Sequence, residues 1–86
     1  LIVSEVKGGN PVELDDVFKQ LSNGMEGLRN KGVAGDVEQV ELIVTRGAKF
    51  KPEKKYSVQD GYLFNTTTRK KVTLKGFNHP IKVTQL

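Results

Sequence analysis

The sequence predicts an α/β (α+β) fold: a mixed sheet with a strand-helix-strand crossover, followed by short antiparallel strands. An apolar run at residues 1–6 precedes an amphipathic segment at 12–28 and a β-branched run at 37–46. Strand, helix and strand in this order normally place the two strands parallel, with a right-handed connection. Because 86 residues give room for one small core, we expect residues 1–86 to form a single domain.

The first two predicted elements are a strand and a long helix. Leu1 to Val6 is a short apolar run, typical of a buried strand whose C-terminal end reaches solvent. From Val12 to Leu28 the apolar residues recur at spacings of three, four and seven, which makes one helical face. Gly24 and Gly27 weaken the later turns, so we expect the helix to fray or end before Arg29.

The second half of the chain predicts a strand, a loop and three shorter strands. Val37 to Arg46 contains a β-branched core suited to a central strand, and Gly47 to Lys55 is a basic, polar loop. A turn at Asn65 to Arg69 separates the first two of the short strands. These predicted antiparallel strands are Gly61–Phe64, Lys71–Leu74 and Ile81–Thr84.

Composition excludes several classes of site. The chain has no cysteine and one histidine, so it offers neither a thiolate zinc site nor an imidazole cluster, and any metal would be bound mostly by oxygen. No apolar stretch approaches the roughly 20 residues that span a bilayer. The chain begins with Leu1 inside a predicted strand, from which we expect a C-terminal fragment of a longer chain.

Charge is divided unevenly between the two halves. Residues 1–43 carry four basic and eight acidic side chains, whereas residues 44–86 carry ten basic and two acidic ones. Such a basic half favours binding to a polyanion such as nucleic acid. The alternative is that these lysines only keep exposed strands soluble. The predicted nucleic-acid contacts are Lys49, Lys51, Lys54, Lys55, Arg69, Lys70 and Lys71.

Glu5 and Lys7 are the candidate catalytic residues. Side chains two apart on a strand project from the same face. A carboxylate there is suited to holding a divalent metal, and a lysine to orienting water or steadying charge on a phosphate. The alternative is a surface Glu and Lys on an edge strand, since this spacing is common by chance.

The order of these elements resembles the second half of the core of the PD-(D/E)XK nuclease superfamily, the restriction-endonuclease-like fold. Glu5-Val6-Lys7, a glycine turn, the helix and the next strand carry the likeness. The resemblance implies flanking helices, a Mg²⁺ or Mn²⁺ ion and phosphodiester hydrolysis, with Glu5 as metal ligand and Lys7 near the attacking water. Some branches use a glutamine on the following helix, to which Gln20 corresponds.

The string from Ser4 to Asn10 also resembles nuclease domains at the C-termini of bacterial polymorphic toxins, including contact-dependent growth-inhibition toxins. That likeness implies cleavage of DNA or tRNA, an immunity protein as partner, and export to act in the cytoplasm of a target cell. The superfamily's other acid lies on a strand that would precede Leu1, and a single carboxylate binds Mg²⁺ poorly. We therefore expect a core lacking its N-terminal part, with little activity unless an upstream fragment supplies the acid.

A second functional class remains open alongside the nuclease. The same basic half suits a non-catalytic α+β module that binds nucleic acid or a protein partner.

Overall fold

A mixed sheet and one α-helix make up the part of the chain that the structure describes. The structure is a computed structural model, and it describes residues 1–9, 12–48 and 55–86. The elements are β1 (Ile2–Lys7), α1 (Leu14–Asn30), a short 3₁₀ helix (Ala34–Asp36), β2 (Gln39–Val44), β3 (Tyr56–Gln59), β4 (Tyr62–Asn65), β5 (Lys70–Lys71) and β6 (Ile81–Gln85).

The six strands form a single mixed sheet in the order β1-β2-β6-β4-β3, with β5 paired to β4. β1 and β2 are parallel, as are β2 and β6. β4 is antiparallel to β3, β5 and β6. The β1-α1-β2 crossover and the mixed sheet are therefore confirmed. The last strand differs from the prediction, because β6 runs parallel to β2 and is antiparallel only to β4.

Burial on one face of the sheet shows where the core lies. Along β2, side chains alternate between half-buried and fully buried positions, as they do on a strand with one covered face. The helix covers that face. Its residues in the core are Leu14, Val17, Leu21 and Met25, and the strands contribute Val40, Leu42, Val44, Leu63, Ile81 and Val83.

The helix begins and ends two residues later than the sequence predicts. It continues through Gly24 and Gly27 to Asn30, so the expected end before Arg29 is wrong. Each glycine disfavours the helix by about 1 kcal/mol relative to alanine. The last two turns also carry buried Met25 and a leucine that packs against the core. Burial of apolar surface there offsets the weak propensity.

β1 is an edge strand, whereas the sequence predicts a buried one. It pairs only with β2 among the described strands, and Ile2 and Val6 are 61% and 56% exposed. Val3, Glu5 and Lys7, which alternate with them, turn toward the helix and are half-buried. The strand is exposed because α1 covers one face of the sheet and no described strand lies beyond β1.

β3 is a strand that sequence reasoning missed, and the local signal for it lies in its turn. Asp60 and Gly61 connect β3 to β4, and both have positive φ, 54° and 80°. Asp-Gly is a preferred dipeptide for a two-residue hairpin turn with this geometry. The predicted strand at 71–74 is also shorter than expected: β5 is Lys70–Lys71, so only Lys71 of the predicted range lies in it, and Thr73 forms an isolated bridge.

Arg29 of the helix contacts the segment that precedes β6. Its replacement by alanine is expected to destabilise the fold modestly. Its Nη2 donates to the carbonyl of Gly76 at 3.0 Å, and its guanidinium lies 4.3 Å from the centroid of the Phe77 ring. Arg29→Ala is expected to lower the free energy of unfolding by about 1 kcal/mol, measured by urea denaturation. Lys31→Ala, at an exposed neighbour, serves as control. Equal midpoints for the two variants would contradict this account.

Candidate catalytic site

Glu5 and Lys7 lie on the same face of β1, near its C-terminal end. In the parallel register Glu5 is opposite Leu42 and Lys7 is opposite Val44, both of which are buried under α1. Both charged side chains are half-buried. Among the described residues neither forms an ion pair or a side-chain hydrogen bond, and the one ion pair found there joins Arg29 to Glu26. Within that part of the chain the carboxylate and the ammonium are thus available to a ligand.

Gln20 lies on the helix at the same level as Glu5. α1 connects two parallel strands and so runs antiparallel to β1. A Cβ added to Gly24 would lie 3.5 Å from Val3 Cγ1, which aligns that helical position with Val3. Gln20 is one turn earlier in the helix, about 6 Å along its axis. Glu5 is two residues later in the strand, about 7 Å along it in the same direction.

One side of α1 lies near β3 and the other side lies near β1, the two edge strands of the described sheet. On one flank Phe18 meets Tyr56 of β3 in an edge-to-face contact, with 5.5 Å between ring centroids. Gly24 and exposed Gln20 are on the other flank, where Gly24 lies next to Val3 of β1. The structure therefore places the three predicted catalytic residues, Glu5, Lys7 and Gln20, on one side of the molecule.

The loop after β1 is held against the loop after β2. The Lys7 carbonyl accepts a hydrogen bond from the Thr45 N–H at 2.9 Å. A Cβ at Gly8 would lie 2.7 Å from Thr45 Oγ1, a distance that real side chains do not reach without rearrangement. The glycine that follows Lys7 thus permits a close approach of the two loops, which fixes the end of β1 beside Lys7.

This site has fewer metal-ligating side chains than a complete metal centre needs. Within the described ranges, no group of three or more His, Cys, Asp or Glu side chains is placed to hold a metal ion. Glu5 offers one carboxylate, and the side-chain amide of Gln20 offers one neutral oxygen. Mg²⁺ is usually held by one or two carboxylates together with substrate oxygens. These residues alone do not complete a magnesium site.

The predicted nucleic-acid contacts that the structure describes lie away from Glu5. Lys49, Lys51 and Lys54 fall outside the described residues, whereas Lys55, Arg69, Lys70 and Lys71 are exposed. β4 is antiparallel to β6, so its last residue and the following turn lie at the end of the sheet opposite Lys7. Three strand spacings, about 14 Å, separate β1 from β4 across the sheet. The four described basic residues are therefore not adjacent to Glu5 and Lys7.

Two aromatic rings occupy positions that differ from the expectation. Because a domain this small has few other large apolar side chains, we expect most of Tyr56, Tyr62, Phe64 and Phe77 to lie in the core. Tyr56 and Phe77 do pack against it, but Tyr62 and Phe64 are half-buried on the face of the sheet away from the helix. The alternation around buried Leu63 is the signal that separates them, since residues two apart share a face.

A cavity of about 260 Å³ lies on the flank of α1 away from Glu5. It is lined by Phe18, Ser22, Tyr56 and the segment from Val72 to Lys75. None of the three predicted catalytic residues lines it.

Comparison of the chain with protein-family models, with curated proteins and with solved structures finds no match. No helix in the described ranges is long and apolar enough to cross a membrane.

Proposed function

We propose that this protein is a metal-dependent nuclease of the restriction-endonuclease-like type, which hydrolyses phosphodiester bonds in DNA or tRNA. One observation carries the proposal. Glu5 and Lys7 are half-buried on the same face at the end of β1, without ion-pair partners in the described part of the chain, and Gln20 lies level with Glu5 on α1. A carboxylate, an ammonium and an amide are thereby presented at one sheet edge.

These three side chains have complementary chemistry toward a phosphodiester. The Lys7 ammonium stabilises negative charge that builds on the phosphoryl oxygens, and it can also orient an attacking water. The Glu5 carboxylate accepts a proton or offers a hard oxygen ligand, and the Gln20 amide positions water by hydrogen bonding. Mg²⁺ or Mn²⁺, when bound, supplies Lewis-acid polarisation of the phosphoryl group.

The outer edge of β1 is the place where we propose that an added strand supplies the second carboxylate of the metal site. In the described part of the chain no strand pairs with this edge, which presents unpaired backbone N–H and C=O groups. A strand added there would place its side chains about 5 Å from those of β1. We propose that an upstream N-terminal segment or a partner chain supplies this strand, with a carboxylate beside Glu5. Exposed Ile2 and Val6 would give the added strand apolar contacts.

A toxin effector role follows as part of the same proposal. Such a nuclease would be exported by a bacterium, act in the cytoplasm of the target cell and be neutralised in its producer by an immunity protein. An inhibitor that covers the β1 edge would block both Glu5 and the strand-addition site.

The proposal is tested with the natural full-length protein, incubated with plasmid DNA and with total tRNA in Mg²⁺ or in a chelator. Cleavage is expected with Mg²⁺ and not with the chelator. Lys7→Ala is expected to reduce the rate by about 10²-fold or more, because one charge-stabilising group is lost. Lys31→Ala removes an equal charge at the far end of α1 and should leave the rate unchanged. Chelator-resistant cleavage, or equal rates for the two variants, would refute the proposal.

The second candidate is a non-catalytic module that binds nucleic acid or a protein partner. The separation of Lys55, Arg69 and Lys70 from Glu5 favours it, because binding by that basic end does not require the β1 edge. This function predicts no cleavage with any divalent metal. Binding to nucleic acid should persist and weaken steeply as salt rises.

A further inference from the structure

The face of the sheet opposite α1 carries two aromatic rings and two lysines close together. Ile81 and Val83 are buried on the helix side, so Lys82 between them projects from the other face. Tyr62 pairs directly with Lys82 and therefore shares this face. Phe64, two residues along β4, projects there as well.

Lys71 completes this group, which we name the aromatic-basic patch: Tyr62, Phe64, Lys71 and Lys82. Lys71 is directly opposite Phe64 in the β4-β5 ladder. Its Nζ lies 4.1 Å from the centroid of the Tyr62 ring, within the range of a cation-π contact. The patch therefore presents aromatic surface and positive charge together on a regular strand surface.

The acids near the patch leave its net charge positive. On the described strands of this face the acid is Glu41, whose Oε2 accepts hydrogen bonds from Gln39 Nε2 at 2.9 Å and Thr84 Oγ1 at 3.4 Å. Asp60 lies beyond the strands, in the β3-β4 turn. Arg69 and Lys70 adjoin Lys71 along the chain and are exposed. The surroundings thus match a polyanion in charge.

We propose that the aromatic-basic patch binds single-stranded nucleic acid, with bases stacked on Tyr62 and Phe64 and phosphates held by Lys71 and Lys82. Aromatic rings beside basic groups form the usual platform for unpaired strands, because every base has a π-face. In a duplex those faces are already stacked and are closed to the two rings. The patch lies on the face of the sheet opposite Glu5, so the proposal adds a surface for unpaired strands that is separate from the candidate catalytic site. Binding itself does not depend on cleavage.

The test is fluorescence anisotropy of labelled single-stranded RNA, single-stranded DNA and a matched duplex, measured with the natural full-length protein. At least one single strand is expected to bind more tightly than the duplex, and the RNA and DNA arms show which backbone is preferred. Tyr62→Leu is expected to weaken binding by about 5- to 100-fold, the loss of one stacked base, whereas Tyr62→Phe retains it. Circular dichroism of both variants checks that they are folded.

The lysines are tested through the salt dependence of the same binding. Lys71→Ala is expected to weaken binding to all strands and to reduce the slope of log affinity against log salt by about 0.7 to 0.9. Lys19→Ala removes the same charge from the exposed side of α1 and serves as the matched control. Equal effects of the two alanine variants would overturn the role of Lys71.

Two further outcomes would overturn the patch proposal. One is a duplex bound as tightly as both single strands, and the other is Tyr62→Leu with unchanged affinity. Anisotropy is measured in a chelator, where binding is observed without metal-dependent cleavage, so failure of the nuclease function is distinguished from failure of binding. A protein that cleaves through Glu5 but tolerates Tyr62→Leu would retain the nuclease proposal and reject this one.

Discussion

Replacing Leu42 with alanine is expected to lower the free energy of unfolding by about 2–5 kcal/mol. Leu42 is 0% exposed on β2, where the flanking strands place Glu5 on one side and Val83 on the other. Both neighbours are tied to β2 by ladder hydrogen bonds, and α1 covers the face above. Strands held on both sides cannot readily collapse into the space left by a lost side chain, so the cost should include a cavity term.

Leu86→Ala is the matched control for this substitution. It removes the same atoms from a side chain that is 70% exposed, and the Leu86 backbone N–H can still donate to the Val44 carbonyl. Its expected effect is within about 0.5 kcal/mol. Urea denaturation measures both variants, and an unchanged slope would show that only stability has shifted. Similar midpoints for Leu42→Ala and Leu86→Ala would contradict the assignment of the core to β2.

Local pattern was sufficient to predict the crossover. The helix has apolar residues on one face over most of its length, and β2 has a β-branched run too short for a helix. Both signals arise within a few residues along the chain, and so does the alternation that places Glu5 and Lys7 together. The helical period also predicts that Gln20 lies beside the apolar face of the helix and not at its centre. The position of Gln20 along the helix axis, next to Glu5, also depends on α1 running antiparallel to β1. The crossover connection implies that direction.

Pairing between distant strands could not be predicted in the same way. The sequence marks Ile81 to Thr84 as a strand, but its parallel partner Leu42 lies about 40 residues earlier. The local sequence of neither segment indicates that the two strands pair. The direction of β4 depends on that pairing, and with it the position of Lys55 and Arg69 at the end of the sheet opposite Lys7. The separation of the basic and candidate catalytic groups is thus a tertiary property.

The exposure of β1 has the same origin. A short strand that begins with apolar residues, such as Ile2 to Lys7, is equally compatible with a central strand and with an edge strand. The choice depends on how many strands lie beyond it and on how many helices cover the sheet. In the described part of the chain one helix covers one face, so the side chains on the other face reach solvent.

Glu5→Gln is expected to reduce nucleic-acid cleavage by the natural full-length protein by about 10²- to 10⁴-fold, while leaving the fold intact. The substitution keeps the shape of the side chain and removes its charge. Stability should not change, because the Glu5 carboxylate makes no ion pair or hydrogen bond within the described residues. Glu38→Gln makes the same change at an exposed position at the other end of the sheet and should cleave normally.

The dependence of the Glu5→Gln rate on Mg²⁺ separates two roles of the carboxylate. If Glu5 is a metal ligand, higher Mg²⁺ concentrations should restore part of the lost rate, since the variant retains one oxygen donor at the same place. If the carboxylate acts only as a proton acceptor, the loss should persist at every Mg²⁺ concentration, because an amide is not a base. Wild-type rates for Glu5→Gln throughout the titration would exclude the β1 edge as the catalytic site, and would leave a binding module as the function that this geometry supports.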